Sequence, residues 1–381
     1  MKHSAAVTRS LFICFLLVSA SQIGCRSSTA KASETKTEPE RSYQEYSDAV
    51  SNAEKAASKD EFDKFFITKA VISFSGNDIE HLSKLNVGKT GAIYVCDFDN
   101  RRISGYDSSG NNIKLIGKAG NEPGSHVFPT DAVEFNNSSV AVPDFSGHRV
   151  NIFSSDGSFK SSFIYTPQNF SAQRLVFNEA NDSFYLFGNR WQTNMEGVTV
   201  GSDLMHKYSS SGEYLMSSLP FPEDYKALDL YNYSFPMTDV SGGAIYVVLP
   251  FDYTIYRVDA NDNLSVFLKG NKNGFKPPSV KMDATKVPRP EAYKAAQAWE
   301  LTWTPIVGLA VMGDDLLIQY QTFNPLRYTI DVWSTSSKKL KKTFSTDHLL
   351  LGRGQDNNFY FLTNLESKHQ ESYVITRVRT K

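Results

Sequence analysis

With 381 residues and an ordinary apolar fraction, the chain can bury one large core or two modest ones without help from metals or disulfides. A formal net charge of −1 gives no electrostatic case for nucleic acid or another acidic polymer as partner. The aromatic set of 26 Phe, 19 Tyr and 4 Trp suits strands better than helices.

The N-terminus carries the parts of a signal peptide: Lys2 and Arg9, then the apolar run LFICFLLVSA at 11–20, then small residues. Ten such residues are too few to span a bilayer as a permanent helix. The stretch SQIGC at 21–25 resembles the lipobox of bacterial lipoproteins, which makes Cys25 the lipidated first residue of the mature chain, although Gln22 stands where Leu is typical. Ordinary cleavage after Ala20, behind VSA at 18–20, is the alternative. Both outcomes place the chain outside the cytoplasm, either anchored to a membrane of the cell envelope or periplasmic or secreted. Cys14 and Cys25 belong to this segment, so Cys96 is left alone in the mature fold, without an intrachain disulfide and with the character of a small buried residue.

The expected organisation is a signal segment at 1–25, a flexible tether at 26–41, a short helical lead-in at 42–65 and one large domain at 66–381. The tether RSSTAKASETKTEPER has no aromatic or large aliphatic residue with which to offset the entropy of ordering. Within the lead-in, Tyr43, Tyr46, Val50, Ala53 and Ala57 predict a helix over 43–59.

The domain is repetitive. AIYVCDFDNRRISGYDSSGNNI at 92–113 overlays the stretch at 128–159 with one constant offset of 47 residues, the distance from Asp97 to Asp144. The same offset pairs Arg102 with Arg149, Tyr106 with Phe153 and Gly110 with Gly157. Four short strands per unit at such a period are the mark of a propeller blade. Six units are predicted, with first strands at 81–87, near 128, 174–177, 229–233, 307–311 and 348–351. The last unit is one strand short, and the alternating segment KAVISF at 69–74 has no blade of its own. The expected fold is therefore an all-β, six-bladed propeller of four-stranded antiparallel blades, whose last blade is closed by the N-terminal strand, leaving no open edge.

The stretch GNEPGSHVFPTDAVEFNNSSVAVPDFSGHRVNIFSSDGSF is similar to the NHL repeat, and FDYTIYRVDANDNLSVFLKG at 251–270 looks like a segment of the exported six-bladed propeller proteins of bacteria, many of them lipoproteins. The resemblance implies a six-bladed fold and an extracytoplasmic site, and no particular reaction.

Strand parity puts the loop between second and third strands, and the loop to the next blade, on one face. The long segments 117–129, 188–203, 250–253, 269–305 and 321–327 all share it; 269–305 includes a predicted helix at 290–300. Long loops on a rigid scaffold favour binding, and Arg190, Trp191, Phe251, Tyr253, Trp299 and Phe323 are the candidate ligand-binding residues, for a glycan or a protein partner. Mutual packing of these aromatics is the alternative. The pairs Asp97/Arg102 and Asp144/Arg149 recur at blade positions and read as structural braces. His126, His148 and His206 fall near the same face; the resemblance to NHL-type propellers, some of which are metal-dependent lyases, and to lactonases of related shape implies as the alternative a metal site there, for a metal-dependent lyase or lactonase acting on the propeller axis. None of these histidines has metal-ligand spacing to another, no nucleophile motif occurs, and GKAGNEPG at 117–124 precedes no helix, so no cofactor is implied. A binding or scaffold module, tethered to a membrane, is the expected function.

Overall fold

The computed structural model describes residues 59–75, 79, 82–97, 99–136, 138–165, 170–194, 197–200, 203–226, 228, 235–270, 274–279, 299, 301–323, 326–354, 356–363 and 372–381. The signal segment with Cys25, the tether, and the helices expected over 43–59 and 290–300 lie outside these residues, apart from Lys59 and Trp299.

Helix α1 (Lys59–Phe65) runs into β1 (Phe66–Ser75). Blade one is β2 (Leu82–Val87), β3 (Ile93–Asp97), β4 (Arg102–Tyr106) and β5 (Asn112–Ile116). Blade two is β6 (Val133–Phe135), β7 (Ser139–Asp144), β8 (Arg149–Phe153) and β9 (Phe159–Ile164). Blade three is β10 (Phe170–Asn178), β11 (Ser183–Asn194), β13 (Asp203–Ser209) and β14 (Tyr214–Pro220), with the short β12 (Gly197–Val200) paired to the end of β11. After α2 (Glu223–Lys226), blade four is β15 (Met237–Ser241), β16 (Ala244–Leu249), β17 (Asp252–Val258) and β18 (Leu264–Lys269). Blade five is β19 (Ile306–Met312), β20 (Asp315–Phe323), β21 (Leu326–Ser334) and β22 (Leu340–Thr346). Blade six is β23 (Leu349–Arg353), β24 (Phe359–Leu362) and β25 (Ser372–Thr380), completed by β1, which pairs antiparallel with β25 from Phe66 opposite Thr380 to Ser75 opposite Ser372. The N-terminal strand closes the ring as the strand count requires.

One strand differs from the sequence expectation. The first strand of blade four is Met237–Ser241, which pairs with β16; the expected 229–233 lies outside the described residues. The true strand, MTDVS, buries only its first residue, because an inner strand faces the polar axis and lacks the apolar alternation that marks a strand in sequence.

Six apolar clusters hold the blades together, one at each interface around the ring. They arise because the second and third strands of a blade are covered on both faces: β3, β7 and β16 are buried at every residue. The outer strand β9 is exposed along most of its length. Between blades five and six the cluster holds a group of five Phe rings, with Phe62 of α1 and Phe66 of β1 against Phe344, Phe359 and Phe361. Their ring centroids lie 4.8–6.1 Å apart in tilted or edge-on pairs, which suit aromatic quadrupoles.

Polar groups also cross between blades. Glu134 of β6 accepts hydrogen bonds from Tyr94 Oη at 2.8 Å, Thr90 Oγ1 at 2.8 Å and the Thr90 amide at 2.9 Å, all in blade one. The tight hairpins on the outer side repeat one design. Asp107 accepts from the amides of Ser109 and Asn111, and Gly110, at φ +89°, makes a turn that a side chain would strain.

Candidate functional site: the axial chamber

The first strand of each blade lines the ring axis, and in several blades its register slips at one place. Pairing shifts between Leu82 and Lys84 in blade one, between Ala172 and Arg174 in blade three, and between Ile306 and Gly308 in blade five. Such a bulge re-aims the following side chain. Those residues are Lys84, Arg174 and Gly308, and Asp131 of blade two stands 47 positions after Lys84 as Asp144 does after Asp97. With Asp239 of blade four and Arg353 of blade six they surround a cavity of about 490 Å³. Its lining continues to Lys89, Glu179, Gly243 and Gly354, in the turns that join first and second strands. By strand parity those turns occupy the face opposite the long loops.

The charges in this chamber are unequally matched. On one side, Asp239 accepts from the Val311 amide at 2.7 Å and from Arg353 Nε at 3.1 Å, and Arg353 also donates to the Val240 carbonyl. Burial raises the Asp239 carboxyl above its usual range, and Arg353 opposes that shift. At the rim, Lys89 pairs with Glu179. On the other side, Asp131 is held by neutral donors: the Asn86 side-chain amide, the Ala132 amide at 3.0 Å and the Leu175 amide at 3.1 Å. Among the described residues, Arg174 has a single long hydrogen bond, from Nη1 to the Gln173 carbonyl at 3.3 Å, and its shielded Nε has no partner there. Burial, then Arg174, pushes the Lys84 ammonium down to about 8, against the pull of Asp131. Behind them lies the buried thiol of Cys96, raised well above the ordinary thiol range by burial and by Asp131.

The residues predicted from sequence fall elsewhere. Phe251 is fully buried, 5.5 Å from Phe221 and 5.0 Å from Tyr225 between ring centroids. Tyr253 is buried and donates to Asp331 at 2.7 Å, while Trp333 Nε1 donates to Tyr253 at 3.1 Å. Trp299 is buried against Trp303, at 5.3 Å. These three do not form an open binding surface: each packs into an inter-blade cluster, where large rings bury the most area. The side chains of Arg190, Trp191 and Phe323 are outside the described residues. Backbone pairing sets Trp191 opposite Val200 and Phe323 opposite Leu326, so hairpins of blades three and five extend on the long-loop side.

The structure does not gather the three histidines. His126, buried in blade two, approaches Asn151 at 3.2 Å, and burial lowers it to about 4. His206 on β13 lies 2.7 Å from Ser217, and His148 sits in a turn at φ 49°. Among the described residues no group of three or more His, Cys, Asp or Glu is placed to hold a metal ion. Asp144 and Arg149 are cross-strand partners, as are Asp97 and Arg102, and Asp144 is enclosed by amides.

The axial residues carry no local motif. The offset of 47 that aligns blades one and two also aligns Lys84 with Asp131, which is the one sequence signal that leads to the ring.

No protein-family model matches the chain, and no curated protein matches it. Solved structures do share its fold. A Bacteroides fragilis protein whose name describes it as exported is similar with a TM-score of 0.59 at 13% identity, over 84% of this chain and 96% of that one. A member of the DUF4221 family from Bacteroides vulgatus is similar with a TM-score of 0.55 at 9% identity, over 83% of this chain and 98% of that one. At such identities the likeness establishes the six-bladed propeller fold.

Proposed function

We propose that the chain is an exported, membrane-tethered binding propeller that receives its ligand in the axial chamber, on behalf of a protein or glycan partner in the cell envelope. The observation that carries this reading is the chamber itself: about 490 Å³, the size of a small-molecule site, with ionisable side chains converging from five blades. Export is supported by the signal-peptide pattern at 1–20 and by the fold shared with a protein named as exported. Lipidation at Cys25 supplies the tether, and no helix among the described residues is long and apolar enough to cross a membrane. Labelling with a lipid precursor is expected to mark the native chain and not Cys25→Ala; equal labelling would remove the anchor from the proposal.

The chamber is tested by capture from native membranes with three chains: wild type, Val307→Trp on the chamber wall, and Trp191→Ala on the extended hairpin. Loss of the captured partner in Val307→Trp alone is expected. Loss in Trp191→Ala alone would return the site to the long-loop face.

A further inference from the structure

We propose that the Lys84–Arg174 side of the axial chamber binds the carboxylate or phosphate group of a small ligand, an inference that rests on the chamber being the binding site. Formally the chamber is balanced, but its carboxylates are committed unevenly. Glu179 takes Lys89, and Asp239 takes Arg353. Glu134 accepts from Thr90 and Tyr94, and Asp131 from Asn86 and two backbone amides; these donors are neutral, so both carboxylates keep their charge but have their oxygens engaged away from a cation. Among the described residues, Lys84 and Arg174 make no direct ion pair and share only the longer-range attraction of Asp131; Lys84 has no hydrogen-bond partner there, and the Arg174 Nε is shielded from water and unbonded.

Burial and their mutual repulsion outweigh the attraction of Asp131 for Lys84, so the two cations of this wall cost stability in the empty fold. A structural role would have paired them, as Arg353 is paired. The bulges at Lys84 and Arg174 instead turn both heads toward the same space. Arg presents a planar fork and Lys a compact charge, a combination that fits an oxyanion. The opposite wall, with Asp239 already neutralised by Arg353, suits the polar, uncharged body of such a ligand.

Lys84 also sets a pH dependence. The groups facing it are Arg174, Asp131 and the Cys96 thiol. Because its free ammonium is held near 8, an anion that prefers the charged form loses affinity as pH rises above that value.

The test titrates inorganic phosphate, glucuronate and neutral glucose into the purified chain at pH 7, reading both melting temperature and heat of binding. Phosphate or glucuronate is expected to bind and raise the melting temperature, and the one that binds more tightly identifies the source of the oxyanion. Lys84→Met and Arg174→Met are each expected to weaken that binding by about tenfold or more. Both variants are expected to melt no lower than wild type when unliganded, since each removes a charge whose desolvation outweighs the pull of Asp131. Between pH 8 and 10 the wild-type affinity is expected to fall by up to about tenfold per unit. Absence of binding by both anions, or binding unchanged in both variants, would overturn the proposal. Glucose binding that ignores the two substitutions would also overturn it while sparing the chamber; failure of the chamber reading is seen separately, as partner capture indifferent to Val307→Trp.

Discussion

A chain lacking Phe66–Ser75 is expected to lose its cooperative unfolding and to associate. Removing β1 uncovers the edge of β25 along its whole length, from Ser372 to Thr380, and such an edge is a template for pairing with another chain. It also strips apolar groups from two inter-blade clusters: Ile72 and Phe74 from the one between blades six and one, and Phe66 from the one between five and six. A milder version is Phe361→Ala. That ring is fully buried at 5.0 Å from Phe62 and 5.3 Å from Phe66, and its removal is expected to destabilise by about 3–5 kcal/mol. Size-exclusion chromatography and thermal unfolding check both. A truncated chain that stays monomeric with an unchanged melting temperature would show that the ring does not depend on this closure.

Asp144→Ala is expected to destabilise by a similar amount, about 3–5 kcal/mol, although the residue touches no part of the axial chamber. Its carboxylate is fully buried and accepts from the amides of Phe128 at 2.7 Å, Val127 at 3.0 Å and Gly147 at 3.2 Å. Arg149 Nη2 stands 3.5 Å away and also donates to the Ser125 carbonyl at 2.9 Å, while its Nη1 donates to the Asn121 carbonyl at 2.7 Å. One carboxylate therefore anchors the whole connection that enters blade two. Its loss leaves several buried amides without an acceptor and Arg149 without its carboxylate. Asp144→Asn keeps the shape but turns one acceptor into a donor, and about 1–3 kcal/mol is expected. Urea unfolding measures both, and stability unchanged in Asp144→Ala would refute the structural role of the Asp–Arg repeat.

The fold was legible because blade closure depends on what sequence displays well. The run AIYVVL of β16, the hairpin glycines Gly110 and Gly157, and the repeat of Asp97 at Asp144 are all local signals. The orphan strand at 69–74 could be assigned by counting alone, and it lies within β1. The inner strands were less legible, as the displaced first strand of blade four shows. Where an inner strand is polar, as MTDVS of β15, no apolar period marks it, and β6 is only three residues long, whereas the apolar runs of β10 and β19 were placed from the sequence. The candidate site was obscure for the same reason. Lys84, Asp131, Arg174, Asp239 and Arg353 come from different blades, and the residue type changes from one to the next. Aromatic residues in long loops drew attention instead, and the structure uses Phe251, Tyr253 and Trp299 as core. An aromatic ring in a loop carries no mark of which side it will turn.

The most direct test of the account is the titration of the Lys84 ammonium itself, followed by NMR in a chain with isotopically labelled lysine and assigned by its absence in Lys84→Met. In the free protein it is expected to titrate near 8, well below the ordinary 10.5, because burial and the charge of Arg174 outweigh the pull of Asp131. Addition of the phosphate or glucuronate that binds is expected to move it back toward 10.5. A Lys84 that titrates at its ordinary value in the free chain, and does not respond to either anion, would contradict the assignment of the axial chamber as an anion-binding site.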